Sequence, residues 1–146
     1  MIALQPATIE DSAFVFKVKC EALQESIAKT WGWDEAWQKQ YHDEHYDPEK
    51  YQIITLDGTD IGCISIEERP QEFYIAVIEL LPDFQDQGIG TSLIQDLIAR
   101  AEYEGKSVSL EVLVVNDRAR SLYQRLGFVD IPSERPTHYR MVHAGY

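Results

Sequence analysis

Leu80-Leu81-Pro82-Asp83-Phe84-Gln85-Asp86-Gln87-Gly88-Ile89-Gly90-Thr91 is the stretch around which this chain is organised. The apolar run before it, Phe73 to Leu81, reads as a buried strand. After it, Leu93, Ile94, Leu97, Ile98 and Ala101 recur at helical spacing within Ser92 to Glu104. The stretch is therefore a strand-to-helix loop whose glycines stand where the helix begins. The first N–H groups of a helix lack intrahelical partners, and the helix dipole favours negative charge there. Glycine lets a ligand reach the backbone without a Cβ in the way. Such a place suits phosphate or pyrophosphate, although on spacing alone a plain glycine-rich turn reads the same way.

A second motif decides between these readings. Asn116-Asp117-Arg118-Ala119-Arg120-Ser121-Leu122-Tyr123-Gln124-Arg125-Leu126-Gly127-Phe128 follows another apolar strand, Val108 to Val115. Together the two stretches resemble the GNAT superfamily of N-acetyltransferases. Its coenzyme A loop reads Q/R-x-x-G-x-G/A, which Gln85, Gly88 and Gly90 fill. Its later motif reads N-x-x-A-x-x-x-Y-x-x-x-G-F, filled by Asn116, Ala119, Tyr123, Gly127 and Phe128. The resemblance is sharp from about Tyr74 to Phe128 and looser outside.

The chain has 146 residues, a length that suits one domain over residues 1–146, and its 45% hydrophobic content supports a core. No apolar run reaches the ~18 residues of a membrane span, and no signal peptide is evident. The two cysteines, Cys20 and Cys63, are far apart in sequence and read as small buried hydrophobes of a reduced, cytoplasmic protein. With 25 acidic and 13 basic residues the net charge is −12, which argues against nucleic acid as a partner. The same charge is compatible with a cationic amine substrate, though solubility explains it as well.

Outward from the central loop, the pattern predicts strand, two helices, three strands, helix, strand, helix, two strands. Met1 to Ala7 is the first strand. Thr8, with Asp11 three residues on, caps a helix whose stripe is Phe14, Val15, Val18 and Ala22 and which fades near Lys29. Asp34 caps a second helix to about Tyr46, ended by Pro48. Tyr51 to Leu56 and Ile61 to Glu67 are strands joined at Asp57-Gly58. Gly105 ends the central helix, Asn116 or Asp117 caps the last one, and Gly127 closes it. Phe128 to Ile131 and Tyr139 to Val142 are the final strands. This is an α/β fold, a mixed sheet with helices on its faces. The resemblance implies a GNAT-like single domain: a mostly antiparallel sheet of about seven strands flanked by four helices. In that fold the strands carrying Ile78 and Glu111 splay apart at the cofactor cleft.

Acetyl transfer from a thioester to an amine requires a held cofactor, a neutral amine, a donor to the carbonyl oxygen and a proton for the leaving thiolate. By resemblance, backbone groups of Ile78, Glu79 and Leu80 pair with the pantetheine arm of acetyl-coenzyme A. Gln85, Asp86, Gln87, Gly88, Ile89, Gly90 and Thr91 form the pyrophosphate loop, which carries Asp86 where family loops are often arginine-rich. Asn116 contacts the cofactor or braces the loop; read alone, it is a helix cap. Tyr123, at helical spacing with Leu122 and Leu126, reads alone as a core aromatic. The resemblance makes it the general acid, since a phenol of pKa ~10 is protonated at neutral pH.

Glu79 and Glu111 lie in otherwise apolar strands, where a carboxylate is costly unless paired or solvated. Both are candidate bases, the sequence does not separate them, and a base role for neither stays open. An ordinary carboxylate of pKa ~4.3 is a poor base for an ammonium of pKa ~10, so burial or a water relay is required. Trp31, Trp33, Trp37 and Tyr41 crowd one region, and packing is their plain role. The resemblance raises the alternative of an acceptor pocket, with Trp31, Trp33, Trp37 and Tyr139 against the substrate. His42 and His45 read as a surface pair, and no metal site is expected.

A dinucleotide-binding enzyme would need a third glycine after Gly90, and a phosphate-loop nucleotidase would need Gly-Lys-Ser/Thr; both are absent. The reading is an acetyl-coenzyme A-dependent N-acetyltransferase acting on a primary amine in a ternary complex. The alternative is a non-catalytic acyl-coenzyme A binder of the same fold, serving as a sensor or interaction module. A homodimer is compatible with the resemblance, and the sequence does not decide it.

Overall fold

A computed structural model describes residues 1–144. Among the described residues, seven strands and four α-helices follow one another in the order the sequence predicts. The strands are β1 Ile2–Pro6, β2 Gln52–Leu56, β3 Thr59–Glu68, β4 Glu72–Leu80, β5 Ser107–Leu113, β6 Val129–Ile131 and β7 His138–His143. The helices are α1 Ser12–Trp31, α2 Glu35–His45, α3 Ile89–Glu104 and α4 Asp117–Arg125. One sheet runs β1-β2-β3-β4-β5-β7-β6. The pairs β1–β2, β2–β3, β5–β7 and β6–β7 are antiparallel, and β4–β5 is parallel. The α3 crossover between β4 and β5 is what a parallel pair requires.

The chain divides into two compact units, Met1–Ser65 with Val77–Gln87, and Ile66–Ala76 with the chain from Gly88 onward. In the first unit, α1 lays Val15 and Val18 against Ile53 of β2 and Cys63 of β3. Phe14, Tyr46, Tyr51, Val77 and Leu81 close the rim of this cluster. The hairpin between β2 and β3 is a two-residue turn, Leu56 pairing with Thr59. Its residues Asp57 and Gly58 both have positive φ, 50° and 84°, as a type I′ turn demands. α1 continues to Trp31 rather than fading near Lys29, and Gly32, with φ 84°, stops it.

In the second unit, α3 buries Ile94, Leu97 and Ala101, and the interiors of β4 and β5 bury Phe73, Ile75, Val108 and Leu110. The Arg100 guanidinium and the Lys106 ammonium each lie 4.7 Å from the Phe73 ring centre, covering its edge of the core. Gly105 ends α3 in the left-handed conformation, φ 70°, as expected of a glycine C-cap. The parallel ladder of this unit runs from Glu72↔Ser107 to Ile75↔Leu110. β4 continues beyond it to Leu80, while β5 keeps β7 as partner to Leu113↔His138.

Candidate active site

The loop after β4 begins with a 3-10 turn, Pro82–Phe84. Gln85 folds back, its side-chain amide donating to the Leu80 carbonyl at 2.9 Å. Gln87 does the same to Asp83, at 2.7 Å. Both glutamines of the stretch thus shape the loop. Asp86 takes a positive φ of 61°, which costs a non-glycine residue free energy, and its side chain is exposed. In the second unit, Gly88 sits in the left-handed region at φ 80° and is the N-cap of α3. No side chain caps this terminus; the Ser92 N–H bonds to the Gly88 carbonyl, so the N–H groups of Ile89, Gly90 and Thr91 precede the first helical bond. A Cβ on Gly88 or Gly90 would meet nothing within 4 Å, which leaves open space over the helix start.

Glu79 lies in the first unit, near the end of β4. Its residue keeps some exposure, yet protein surrounds the carboxyl and withdraws bulk water from it. Burial pushes this carboxyl up to about 7, against the opposing pull of Lys19 from α1. The Cys63 thiol and the Tyr51 hydroxyl feel Glu79 in turn. Burial raises the first well above the usual thiol range and the second to about 12. Both groups are therefore neutral near pH 7. Gly62 of β3 packs so closely that an added Cβ would lie 2.2 Å from the Glu79 carbonyl oxygen. The Leu81 N–H beside it bonds to the Ile61 carbonyl at 2.9 Å. Ile78 and Leu80 are half-buried.

Glu111 lies in the second unit, and its situation differs. The Arg135 guanidinium lies 3.1 Å from its carboxylate. His138 also feels this pair, while its own imidazole is held below the ordinary range, mainly by burial. Tyr123 is buried on α4, its ring 5.8 Å from that of Phe128. Asn116 is the helix cap: its side-chain oxygen accepts from the Ala119 N–H at 3.2 Å. Tyr139 is half-buried, and the Arg120 guanidinium lies 3.9 Å from its ring centre.

The tryptophans do not form a core. Trp31 and Trp37 are 58% and 56% exposed, and Tyr41 is 44% exposed. Along α2, Trp37 stacks on Tyr41 and Tyr41 on His45, with ring centres 5.3 and 4.0 Å apart. Trp33 is half-buried, and its indole N–H is enclosed without an acceptor. The packing role predicted for these rings therefore fails for Trp31 and Trp37. α2 spends its inner face on Gln38 and His42 instead.

His42 corrects the surface-pair reading. It is buried, and its Nε2 lies 2.9 Å from the Ser12 carbonyl oxygen and 3.1 Å from the Ser12 hydroxyl. Phe16 and Tyr46 flank its ring. His45 turns back to the Tyr41 carbonyl at 2.8 Å. Cys20 is likewise only half-buried, whereas Cys63 is fully enclosed. Among the described residues, no group of three His, Cys, Asp or Glu could hold a metal ion. No described helix is long and apolar enough to cross a membrane.

Lys19, Gly62 and Tyr51 are residues of the first unit to which the sequence reading gave no role beside Glu79. Gly62 carried a signal, since a glycine inside a strand marks close backbone approach. The others carried none, because their partners lie far along the chain.

A profile of the acetyltransferase (GNAT) family matches residues 19–128. The chain belongs to this family, whose members use acetyl-coenzyme A. An uncharacterized N-acetyltransferase of Methanocaldococcus jannaschii is 32% identical over 90 residues, covering 56% of this chain and 40% of that protein. The chain thus spans less than half the length of that relative. Among solved structures, the PaiA N-acetyltransferase of Thermoplasma acidophilum in complex with coenzyme A has a TM-score of 0.79 at 19% identity, covering 99% of each chain. The ribosomal-protein-S18-alanine N-acetyltransferase of Escherichia coli has a TM-score of 0.64 at 22% identity, covering 97% of this chain and 91% of its own. At such identities the likeness is one of fold.

Proposed function

We propose that this chain is an acetyl-coenzyme A-dependent N-acetyltransferase. It passes the acetyl group directly to a primary amine, of a small molecule or a peptide N-terminus, in a ternary complex. The observation that carries the reading is the Glu79 carboxyl, raised to about 7. A general base works best when its pKa lies near the working pH, and an ordinary carboxylate lies far below it. Glu111 is engaged by the Arg135 guanidinium, so Glu79 is the base in this reading. Tyr123 protonates the leaving thiolate. The N–H groups at the start of α3, from Gly88 to Thr91, take the pyrophosphate, with Gln85 and Gln87 setting the loop and Asn116 bracing α4. The strand backbone at Ile78, Glu79 and Leu80 takes the pantetheine arm, and an N–H there meets the developing oxyanion. Trp31, Trp33, Trp37 and Tyr139 are the proposed acceptor contacts.

The single domain, a cytoplasmic location, the possible homodimer and the absence of a nucleic-acid partner belong to the same proposal. Calorimetric titration with acetyl-coenzyme A, with NADH and ATP as controls, tests it. Saturable binding of acetyl-coenzyme A alone is the expected result. A panel of a polyamine, an aminoglycoside, a free amino acid and a peptide with a free N-terminus is then assayed for thiol release. Binding without turnover on any amine returns the reading of a non-catalytic acyl-coenzyme A sensor. No binding at all removes the acetyltransferase reading.

A further inference from the structure

β5 and β7 pair side by side in the second unit, and successive residues of each turn to opposite faces of the sheet. Val108, Leu110, Val112 and Met141 are buried on the face that α3 and α4 meet, where Arg100 lies over Phe73 and Arg120 over Tyr139. The opposite face is polar. On it the register sets Glu111 of β5 directly across from Arg140 of β7, with Ile131 of β6 on the other side of Arg140. Residues so paired have Cβ atoms about 4.5–5.5 Å apart, within reach of an ion pair. The Glu111 carboxylate nevertheless goes to Arg135, whose guanidinium lies 3.1 Å away. Glu72 feels the charge of Arg140, but its carboxylate is also taken, by Ser109 at 2.7 Å and Arg69 at 2.8 Å. Among the described residues the Arg140 guanidinium makes no ion pair and no hydrogen bond. Arg140 is half-buried on an inner strand. In a chain of 25 acidic and 13 basic residues, an arginine that goes without a carboxylate does not lack for candidates. Its N–H donors are free for a ligand.

We propose that Arg140 binds a carboxylate of the acceptor, so that the substrate is an amine carrying its own carboxylate: a free amino acid rather than a polyamine or an aminoglycoside. A guanidinium meets a carboxylate in a planar two-bond fork, which makes arginine the residue of choice for that group. A phosphate, with its greater negative charge, suits the place less, because Glu111 stands directly opposite. Arg135 has a task in this arrangement. By engaging Glu111 it leaves Arg140 open, whereas a released Glu111 would close on Arg140 across the ladder. The inference rests on the proposed acetyl transfer and names its substrate class.

The experiment follows the Arg140 Nε–H signal of the full chain by NMR, assigned by its loss in Arg140→Gln, as alanine, phenylalanine or lysine is added. The decarboxylated counterparts, ethylamine, phenethylamine and cadaverine, are the controls. At least one amino acid is expected to shift the signal saturably while its amine leaves it in place. In the thiol-release assay that amino acid is expected to exceed its amine in kcat/KM. Arg140→Gln should lower kcat/KM for the amino acid by roughly 10–100-fold, the worth of hydrogen bonds to a charged group, and leave the amine unaffected. Arg140→Lys keeps the charge without the fork and should fall between. Arg135→Gln should weaken the amino acid as well, because Glu111 then pairs with Arg140. No shift with any of the three amino acids overturns the inference, as does an Arg140→Gln variant that lowers both members of a pair alike. A shift with acetate equal to that with the amino acids, without a kinetic preference for them, overturns the acceptor part and makes this a site for a separate carboxylate. If acetyl-coenzyme A fails to bind at all, the proposed function falls while the NMR titration still decides whether Arg140 takes a carboxylate.

Discussion

Gly62 faces the backbone of Glu79: a Cβ built on this glycine would lie 2.2 Å from the Glu79 carbonyl oxygen and 2.9 Å from a Leu80 methyl. Backbone cannot step aside as a flexible side chain can. Gly62→Ala must therefore move β3 or the end of β4, with an overpacking cost of about 1–3 kcal/mol. Thermal denaturation should show a clearly lowered Tm, and acetyl-coenzyme A titration a weakened affinity. A variant that melts and binds like the parent would mean the approach is looser than described.

Glu79 imposes a pH dependence of known sign. Its folded-state carboxyl titrates near 7 and an unfolded glutamate at ~4.3, so between these values the folded chain holds more protons. Stability therefore falls as pH rises through this window. Glu79→Gln removes that slope. It should be more stable than the parent at pH 8 by about 1–3 kcal/mol, a range reduced for the partial exposure of the residue, and indistinguishable at pH 4. Its kcat should fall about 10²–10⁴-fold, the usual worth of a general base. Denaturant titrations across pH check the first part, and thiol release the second.

His42 works in the opposite direction. Burial holds its imidazole below the ordinary range, so the unfolded chain takes up a proton first as pH falls below ~6.5. Stability drops with falling pH there. His42→Gln should flatten that acid-side slope, at the cost of a weaker bond to Ser12. Unfolding midpoints from pH 5 to 7.5 in parent, Glu79→Gln and His42→Gln separate the two opposing slopes. An unchanged slope in His42→Gln would place the acid sensitivity elsewhere.

Tyr123 packs its ring against Phe128, so Tyr123→Phe keeps the aromatic contact and removes only the hydroxyl. The expected outcome is a drop in kcat of about 10²-fold or more with KM and Tm little changed. Full activity across pH would remove Tyr123 as the acid.

Gly88 and Gly90 make contrasting requirements. Gly88 needs its left-handed φ of 80°, so Gly88→Ala strains the backbone by about 1–2 kcal/mol even though the added methyl meets nothing. At Gly90 neither strain nor contact opposes a methyl in the free chain. Gly90→Ala should leave Tm unchanged, or raise it slightly through helix propensity, yet weaken acetyl-coenzyme A binding. Parallel melting and calorimetry read the two effects. An alanine at 90 that leaves binding intact would place the pyrophosphate away from this helix start.

Local order was legible in the sequence because local chemistry writes it. The Asp57-Gly58 turn, the Gly105 cap, the Asn116 cap and the Gly88 helix start each follow from a residue and its near neighbours. The environment of Glu79 was not legible. Its raised carboxyl depends on enclosure by elements distant in the chain, and the charge of Lys19, on α1, opposes that shift. His42 misled for the same reason: a helix with five other charged or histidine positions reads as exposed, and only the approach of Ser12 makes its inner face. Trp31 and Trp37 misled in reverse, since large apolar rings suggest a core, whereas α2 carries Trp37 on its outer face.

The path of the chain through its two units has a practical corollary. It passes to the second at Ile66, returns at Val77 and leaves again at Gly88, so neither unit is one uninterrupted segment. A fragment ending at Ser65 would keep Lys19 and lose Glu79 together with the loop from Leu81 to Gln87. Reporter fusions, split-protein complementation and domain grafting that treat a terminal half as a module would therefore sever Glu79 from Lys19. Insertions are better placed at the exposed Asp57-Gly58 turn, where the chain reverses within one unit.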